Sequence, residues 1–326
     1  MSIITDHHGK IAMVIGAGGF IGHNLVKRLK KEGWYVVGVD KHEPRFEKSP
    51  ADEFRILDAA ENRVFIDRYY DRIYQLGANM GGAEFVFTGK NDSEILMNSV
   101  AINMNVLEQV HKKFGVGKIF YSSSVCCYPA NVEGKESDAY PANPPSNYGW
   151  EKIYSERLFQ ASAKNHGTNI RIARFHNCFG PNGTFDGGRE KFPAAICRKV
   201  ALVKNGGELV VIGDGNQRRP FIFIEDLLDG IEALMSTDDF QGPVNLGPDN
   251  SKTVTINQVV DMLREISGKS FTVKHDLSGP TGETDRHANN DLALYELDWE
   301  PKCDIRESFG LTYHWIVQQL AHKTTM

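Results

Sequence analysis

Short apolar runs alternate with longer stretches of helical periodicity through the first half of the chain. Lys10-Ile11-Ala12-Met13-Val14-Ile15 reads as a buried strand that runs into Gly16-Ala17-Gly18-Gly19-Phe20-Ile21-Gly22. Ile21, Leu25 and Leu29 recur at helical spacing and predict a helix from about Ile21 to Glu32, ended by Gly33. Tyr35 to Asp40 is the second strand, Phe54 to Asp58 the third, and Arg72 to Ala78 the fourth. A long helix over Ser93 to Phe114 leads to a fifth strand at Lys118 to Ser123. Another helix carries Tyr148 and continues to about Asn165, ahead of a sixth strand at Asn169 to Phe175. This alternation predicts an α/β fold with a doubly wound parallel sheet of the Rossmann kind.

From His176 the texture changes. Gly180-Pro181-Asn182-Gly183 and Asp186-Gly187-Gly188 are loop signals. Val244 to Gly247 has the look of a seventh strand returning to the sheet. Residues 1–176, with 212–247 coming back to them, are therefore expected to form the main domain. Residues 177–211 and 248–326 then make a smaller, discontinuous α/β substrate lobe.

Bulk properties narrow the function classes. With 326 residues the chain is long enough for a large core and two lobes. A net charge of -5 argues against a general nucleic-acid surface. Five cysteines (Cys126, Cys127, Cys178, Cys197 and Cys303), odd in number and without a CxxC pair, suit reduced thiols in the cytoplasm. The polar stretch Met1 to Lys10 lacks an apolar signal core, and no segment approaches the ~20 apolar residues of a membrane span. Eleven histidines show no HExxH or comparable spacing, so no metal site is expected.

Candidate chemistry begins at the glycines. Strand, glycine turn, helix, strand and a terminal Asp40 make one βαβ unit. Gly16, Gly19, Phe20, Ile21 and Gly22 form a turn whose backbone approaches a pyrophosphate at a helix N-terminus. Asp40, 18 residues after Gly22, is placed for an adenosine ribose and favours NAD over NADP, because it repels a 2′-phosphate. Asp58 is placed for the adenine amino group. Tyr148 and Lys152, four apart, share one helix face. A phenol has a pKa near ~10, and a neighbouring ammonium and a positively charged nicotinamide ring would each lower it. Ser124 is positioned to hydrogen-bond the same alcohol oxygen that Tyr148 deprotonates. Arg189, Lys191, Arg198, Lys199, Arg218, Arg219 and Arg286 concentrate positive charge in an acidic chain and suggest an anion site.

Gly16, Gly19, Gly22, Asp40, Ser124, Tyr148 and Lys152 together resemble the extended short-chain dehydrogenase/reductase family, whose members act on nucleotide sugars. Asn79-Met80-Gly81-Gly82, Ser123-Ser124-Val125-Cys126, Arg174-Phe175-His176-Asn177, Gly187-Gly188-Arg189-Glu190-Lys191 and Gly213-Asp214-Gly215 with Gln217 are similar to the branch that inverts C3 and C5 of a GDP-hexose. The resemblance implies transient oxidation at C4, with Tyr148, Lys152 and Ser124 catalytic. It also implies a base at Cys126 and a proton donor at Lys191 for the carbons beside the ketone. Gly81, Ser124, Cys126, Asn177, Glu190, Lys191, Lys199, Gln217, Arg219 and Arg286 would hold the nucleotide sugar, and the chain would pair into a homodimer. Cys127, Cys178, Cys197 and Cys303 are left as packing residues. Phe179, Phe185, Phe192 and Arg218-Arg219-Pro220 depart from that branch's pattern around the sugar, as does the segment Ala83 to Asp92. A 4,6-dehydratase would carry an Asp-Glu pair where Val125-Cys126 stand. A nucleotide-sugar 4-epimerase or 4-dehydrogenase is the enzymatic alternative, and a non-enzymatic NAD-binding sensor the other.

Overall fold

The computed structural model describes residues 9–62, 66–112, 115–278 and 289–324. Its strands are β1 (Ile11–Ile15), β2 (Tyr35–Asp40), β3 (Glu53–Ile56), β4 (Tyr70–Gln75), β5 (Val116–Ser124), β6 (Ile170–Phe175), β7 (Asn177–Phe179), β8 (Gly207–Ile212), β9 (Arg218–Arg219), β10 (Phe221–Phe223), β11 (Val244–Leu246), β12 (Val254–Thr255) and β13 (Phe271–Asp276). Its helices are α1 (Phe20–Lys31), α2 (Ala83–Phe87), α3 (Asp92–Val110), α4 (Asn147–His166), α5 (Phe192–Leu202), α6 (Ile224–Ser236), α7 (Ile256–Ser267), α8 (Asp291–Leu297) and α9 (Ile305–Thr324).

Seven strands form one parallel sheet in the order β11-β6-β5-β4-β1-β2-β3. Alternate side chains of a strand point to opposite faces, and β1 shows the consequence. Ala12 and Val14 join the core that includes Leu25 and Leu29 of α1 and Leu227 and Ile231 of α6. Met13 and Ile15 join the core that includes Val106 and Leu107 of α3 and Phe159 of α4. Both faces are covered, which is why β1 is apolar throughout. The strand expected at 244–247 is present, paired with β6 through Val244↔Ala173 and Leu246↔Phe175.

Outside the sheet, β7 pairs with β10, β8 with β13 and β9 with β12. Phe179 stacks on Phe309 of α9 at 4.4 Å between ring centroids, and Phe221 meets the same ring edge-on at 5.9 Å. The aromatic departures at Phe179 and Phe185 are thus core residues, both buried. The glycine turn follows β1, the Asn79–Gly82 stretch follows β4, and Ser124 ends β5, so all three lie at the C-terminal ends of parallel strands. Ligands of parallel sheets bind at such strand ends.

Candidate active site

The glycine turn is closed by backbone contacts that leave no space for side chains. A Cβ on Gly22 would lie 2.0 Å from the Gly16 carbonyl oxygen, and Gly16 itself has φ +87°. Phe20 and Ile21 open α1, whose N-cap Gly19 supplies no side-chain cap. The first N–H groups of the helix therefore face the turn and suit an anion. Asp40 ends β2 with its carboxylate against the turn, accepting from the Gly18 N–H at 3.0 Å and the His42 N–H at 3.1 Å. Asp58 lies just beyond β3, which stops at Ile56, and accepts from the Ala60 N–H at 2.9 Å. Asn105 of α3 fixes that loop by donating to the Ala59 carbonyl at 2.8 Å. A bare helix start, a cradle that a Cβ would fill and a carboxylate at the second strand's end fit an adenine dinucleotide.

Ser146 caps α4 by accepting from the Gly149 N–H at 3.1 Å, and Gly167 ends the helix in the left-handed conformation. Tyr148 and Lys152 point into the protein from this helix, 6% and 3% exposed. The Lys152 ammonium lies 5.6 Å from the Tyr148 ring centre and donates to the Ser122 carbonyl at 3.2 Å. Ser124 closes β5, and its hydroxyl accepts from the Cys126 N–H at 3.2 Å. The Tyr148 phenol is pushed well above its ordinary value rather than below it. Burial is the main cause, followed by negative charge at Cys126 and Glu151, while the Ser124 hydrogen bond opposes them. The spacing of Tyr and Lys alone predicts the opposite sign, because burial and Glu151 are invisible in a four-residue motif.

Cys126 packs with Met80 against Tyr148, Phe85 and Val86. The turn that carries it touches α4 directly, since a Cβ on Gly149 would lie 2.1 Å from the Cys126 carbonyl oxygen. Across the cleft, the Asn79–Gly82 stretch docks on the Gly187–Lys191 stretch. The Gly82 N–H donates to the Arg189 carbonyl at 3.0 Å, and the Arg189 guanidinium lies 4.4 Å from the Phe85 ring centre. Gly81 backs onto Phe85. Glu190 accepts from the Gly188 N–H at 2.6 Å and pairs with Arg198 at 3.3 Å. Lys191 is the N-cap residue of α5, and burial lowers its ammonium pKa. The titratable groups close enough to act on it are Cys178, Cys126 and Lys152. Ser124, Cys126, Tyr148, Lys152 and Lys191 therefore meet at one place.

The remaining candidates lie further along the chain. Asn177 opens β7, and Lys199 donates to the Val210 carbonyl at 3.1 Å. Gln217 is buried with its Oε1 unpartnered, next to Arg219 on β9. Arg286 lies outside the described residues. The basic cluster is smaller than its sequence suggests: Arg218 is spent on Thr253, donating to its hydroxyl at 3.0 Å and its carbonyl at 2.8 Å, and Arg198 on Glu190. Cys127, Cys178 and Cys197 are buried with their thiols pushed up by burial, as packing cysteines should be. Cys303 is exposed instead, because the loop before α9 lies on the surface. Partial burial and a hydrogen bond to Asp226 push its thiol up to about 12. The motifs also missed Glu151, a fully buried acid beside Lys152. The one available signal was an acidic residue within an inward-facing helix stretch.

Residues 12–247 match the model of the NAD dependent epimerase/dehydratase family. The chain belongs to that family. Its relatives include GDP-mannose 3,5-epimerase of Arabidopsis thaliana, 38% identical over 94% of this chain and 82% of that protein. GDP-mannose 3,5-epimerase 1 of Oryza sativa subsp. indica is 37% identical over 96% of this chain and 83% of that protein. Among solved structures, an epimerase of Methanothermobacter thermautotrophicus shares the fold with a TM-score of 0.84 at 24% identity, covering 96% of this chain and 94% of that one. Like other members of the family, the protein is NAD-dependent, and the glycine turn with Asp40 is the part of the structure that fits this cofactor. Among the described residues no helix is long and apolar enough to cross a membrane, and no cluster of three or more His, Cys, Asp or Glu is suited to a metal.

Proposed function

We propose that the protein epimerises a GDP-hexose at C3 and C5, of the GDP-mannose to GDP-L-galactose type, in the cytoplasm. The observation that carries this reading is the meeting of Cys126 and Lys191 beside the Tyr148–Lys152 pair. Tyr148, Lys152 and Ser124 suffice for chemistry at C4 alone, so a 4-epimerase leaves a thiol and a buried ammonium without a task. Gly16, Gly19, Phe20, Ile21 and Gly22 at the α1 turn, with Asp40 after β2 and Asp58 beyond β3, would hold NAD, which would supply a hydride acceptor and donor for C4 with no net redox change. Tyr148 takes the O4 proton and later returns it, with Ser124 holding the oxygen. The transient ketone acidifies the neighbouring C–H bonds. Cys126 removes a proton there, and Lys191 supplies one. Burial suits Lys191 to donation, because a lowered pKa makes an ammonium a readier acid.

In this reading residues 177–211 and 248–326 form the lobe that holds the nucleotide sugar. Lys199, Arg219 and Arg286 would meet the diphosphate, and Gly81, Asn177, Glu190 and Gln217 the sugar and base. A homodimer would form through α3 and α4, which pack together and expose Met97 and Met104 on α3 and Trp150 and Tyr154 on α4. The test is incubation with GDP-mannose in D2O followed by mass and NMR analysis of the sugar. Deuterium at C3 and C5 is expected. Product inverted at C4 and free of deuterium would instead identify a 4-epimerase.

A further inference from the structure

Four segments far apart in sequence meet beside the glycine turn. A cavity of about 50 Å³ there is lined by Gly19, Phe20 and His23 at the start of α1, by Arg45 and Phe46 of the loop after β2, and by Asn182 of the loop after β7. Helix α1 grips both loops. His23 meets the Glu47 carboxylate at 2.9 Å, and Lys27 donates to it at 2.6 Å. Asn24 donates to the Pro181 carbonyl at 3.1 Å and accepts from the Asn182 amide at 3.2 Å. The two loops also grip each other and α9. Phe46 stacks on Phe185 at 5.3 Å between ring centres and meets Trp315 edge-on at 4.9 Å. Arg45 meets one Asp186 carboxylate oxygen at 2.6 Å, as an ion pair and not an aligned hydrogen bond, and donates to the Asp186 carbonyl at 3.3 Å. Lys323, in the last turn of α9, donates to the other carboxylate oxygen at 2.6 Å.

Side chains make this closure. Among the described residues no backbone–backbone hydrogen bond joins residues 43–48 to the rest of the chain. The Arg45 and Lys323 side chains are 47% and 48% exposed. A loop held by a few half-exposed side-chain contacts opens far more often than the sheet beside it. A cavity of this size holds only a few waters, so anything larger that enters beside Gly19 requires the two loops to part. We propose that the Arg45–Asp186–Lys323 ion pairs and the Phe46–Phe185–Trp315 cluster form a clasp at the α1 turn, and that opening of this clasp sets the rate of NAD exchange. The proposal rests on NAD dependence and not on which sugar is the substrate. An epimerase ends each turnover with its cofactor in the starting state, so it loses nothing by slow exchange.

The test is the rate of cofactor release: the full chain is loaded with NADH, and its fluorescence is followed while excess NAD displaces it. Asp186→Asn, which removes the charge that both cations meet, should release NADH about fivefold faster or more, the scale of two exposed ion pairs. Phe46→Ala should release it about tenfold faster or more, since two ring contacts are lost together. Association should quicken in step, so the NADH dissociation constant moves less than either rate. A residue that merely touched the cofactor would raise the release rate and the dissociation constant equally. Wild-type release should also quicken from about 0.05 M to about 0.5 M salt, and Asp186→Asn should lose most of that dependence. Release from Asp186→Asn at the wild-type rate overturns the proposal, and so does a dissociation constant that rises as far as the release rate. Should a variant fail to fold, the wild-type salt series decides, because release indifferent to salt means that the ion pairs do not hold the loops. No sugar takes part in these measurements, so GDP-mannose that gains no deuterium would sink the functional reading and leave the clasp standing.

Discussion

Two buried carboxylates on α4 meet opposite fates. Glu156 is matched completely: Arg174 of β6 grips it with two hydrogen bonds at 2.8 and 2.7 Å, and Ser123 of β5 adds a third. Arg174 continues to the Tyr128 hydroxyl at 3.1 Å and the Glu136 carbonyl at 2.9 Å, and Tyr128 reaches Asn245 of β11 at 2.7 Å. That network ties α4 to three strands and the turn after β5. Glu151 accepts from Ser155, Asn103 and Tyr121 on one oxygen, while its other oxygen meets a single-point ammonium at 3.5 Å and has no hydrogen bond. A guanidinium fork satisfies a carboxylate in two directions, as an ammonium does not. Full satisfaction makes a girder, and incomplete satisfaction leaves a charge able to act on its neighbours.

The largest expected effect comes from breaking the girder. Arg174→Ala leaves Glu156 buried and unpaired, and should cost about 3–5 kcal/mol of stability, seen as a lowered urea midpoint. The cleft should behave in the opposite manner. Cys126→Ala should reduce deuterium uptake from solvent by about 10²–10⁴-fold, while its stability changes by no more than the ~1 kcal/mol usual for a point substitution. Equal stability losses in both variants would erase the distinction between the two regions.

Part of this was legible in the chain. The helix expected from Ile21 to Glu32 is found at Phe20–Lys31, and the Tyr148 helix at Asn147–His166, because apolar spacing decides which face is buried. The short helix α2 was not legible. Its position is set by docking, with the Gly82 N–H on the Arg189 carbonyl and Arg189 over Phe85, contacts between segments far apart in sequence. Glu151 was missed because an acid next to a lysine reads as a solvated pair, and only tertiary packing buries it. Basic density misled in the other direction, since Arg218 is consumed by Thr253.

Two glycines of α4 sharpen the contrast at smaller cost. In Gly149→Ala the new methyl would meet the Cys126 carbonyl at 2.1 Å and must displace the turn or the helix. Such overpacking costs about 1–3 kcal/mol, and on the proposed role of Cys126 it should lower kcat while KM stays near wild type, because the turn that carries this thiol moves. Gly167 caps the far end with φ +67° and open space around it. Gly167→Ala should cost about 1–2 kcal/mol from the left-handed backbone and leave kcat unchanged, as urea melts and steady-state rates would show. A loss of kcat in both would mean that α4 transmits any disturbance to the cleft.

The smallest effect lies at that same far end, where α4 presents imidazole instead of carboxylate. His111 at the end of α3 stacks on His166 at 4.0 Å between ring centres and hydrogen-bonds the Ser162 hydroxyl at 2.6 Å. Burial, and then the charge of His166, lower the His111 pKa below its ordinary value of about 6.5. The unfolded chain therefore binds this proton first as pH falls. Stability from the pair is complete above about pH 6.5, is lost as pH drops from there toward the folded value, and is constant below it. Urea midpoints at pH 7.5 and at about pH 5 should differ less in His111→Gln than in wild type, with His166→Gln between the two because burial remains. Equal pH dependence in all three would assign acid sensitivity elsewhere, and deuterium exchange rates should be indifferent to either substitution, since both rings lie a full helix length from Tyr148.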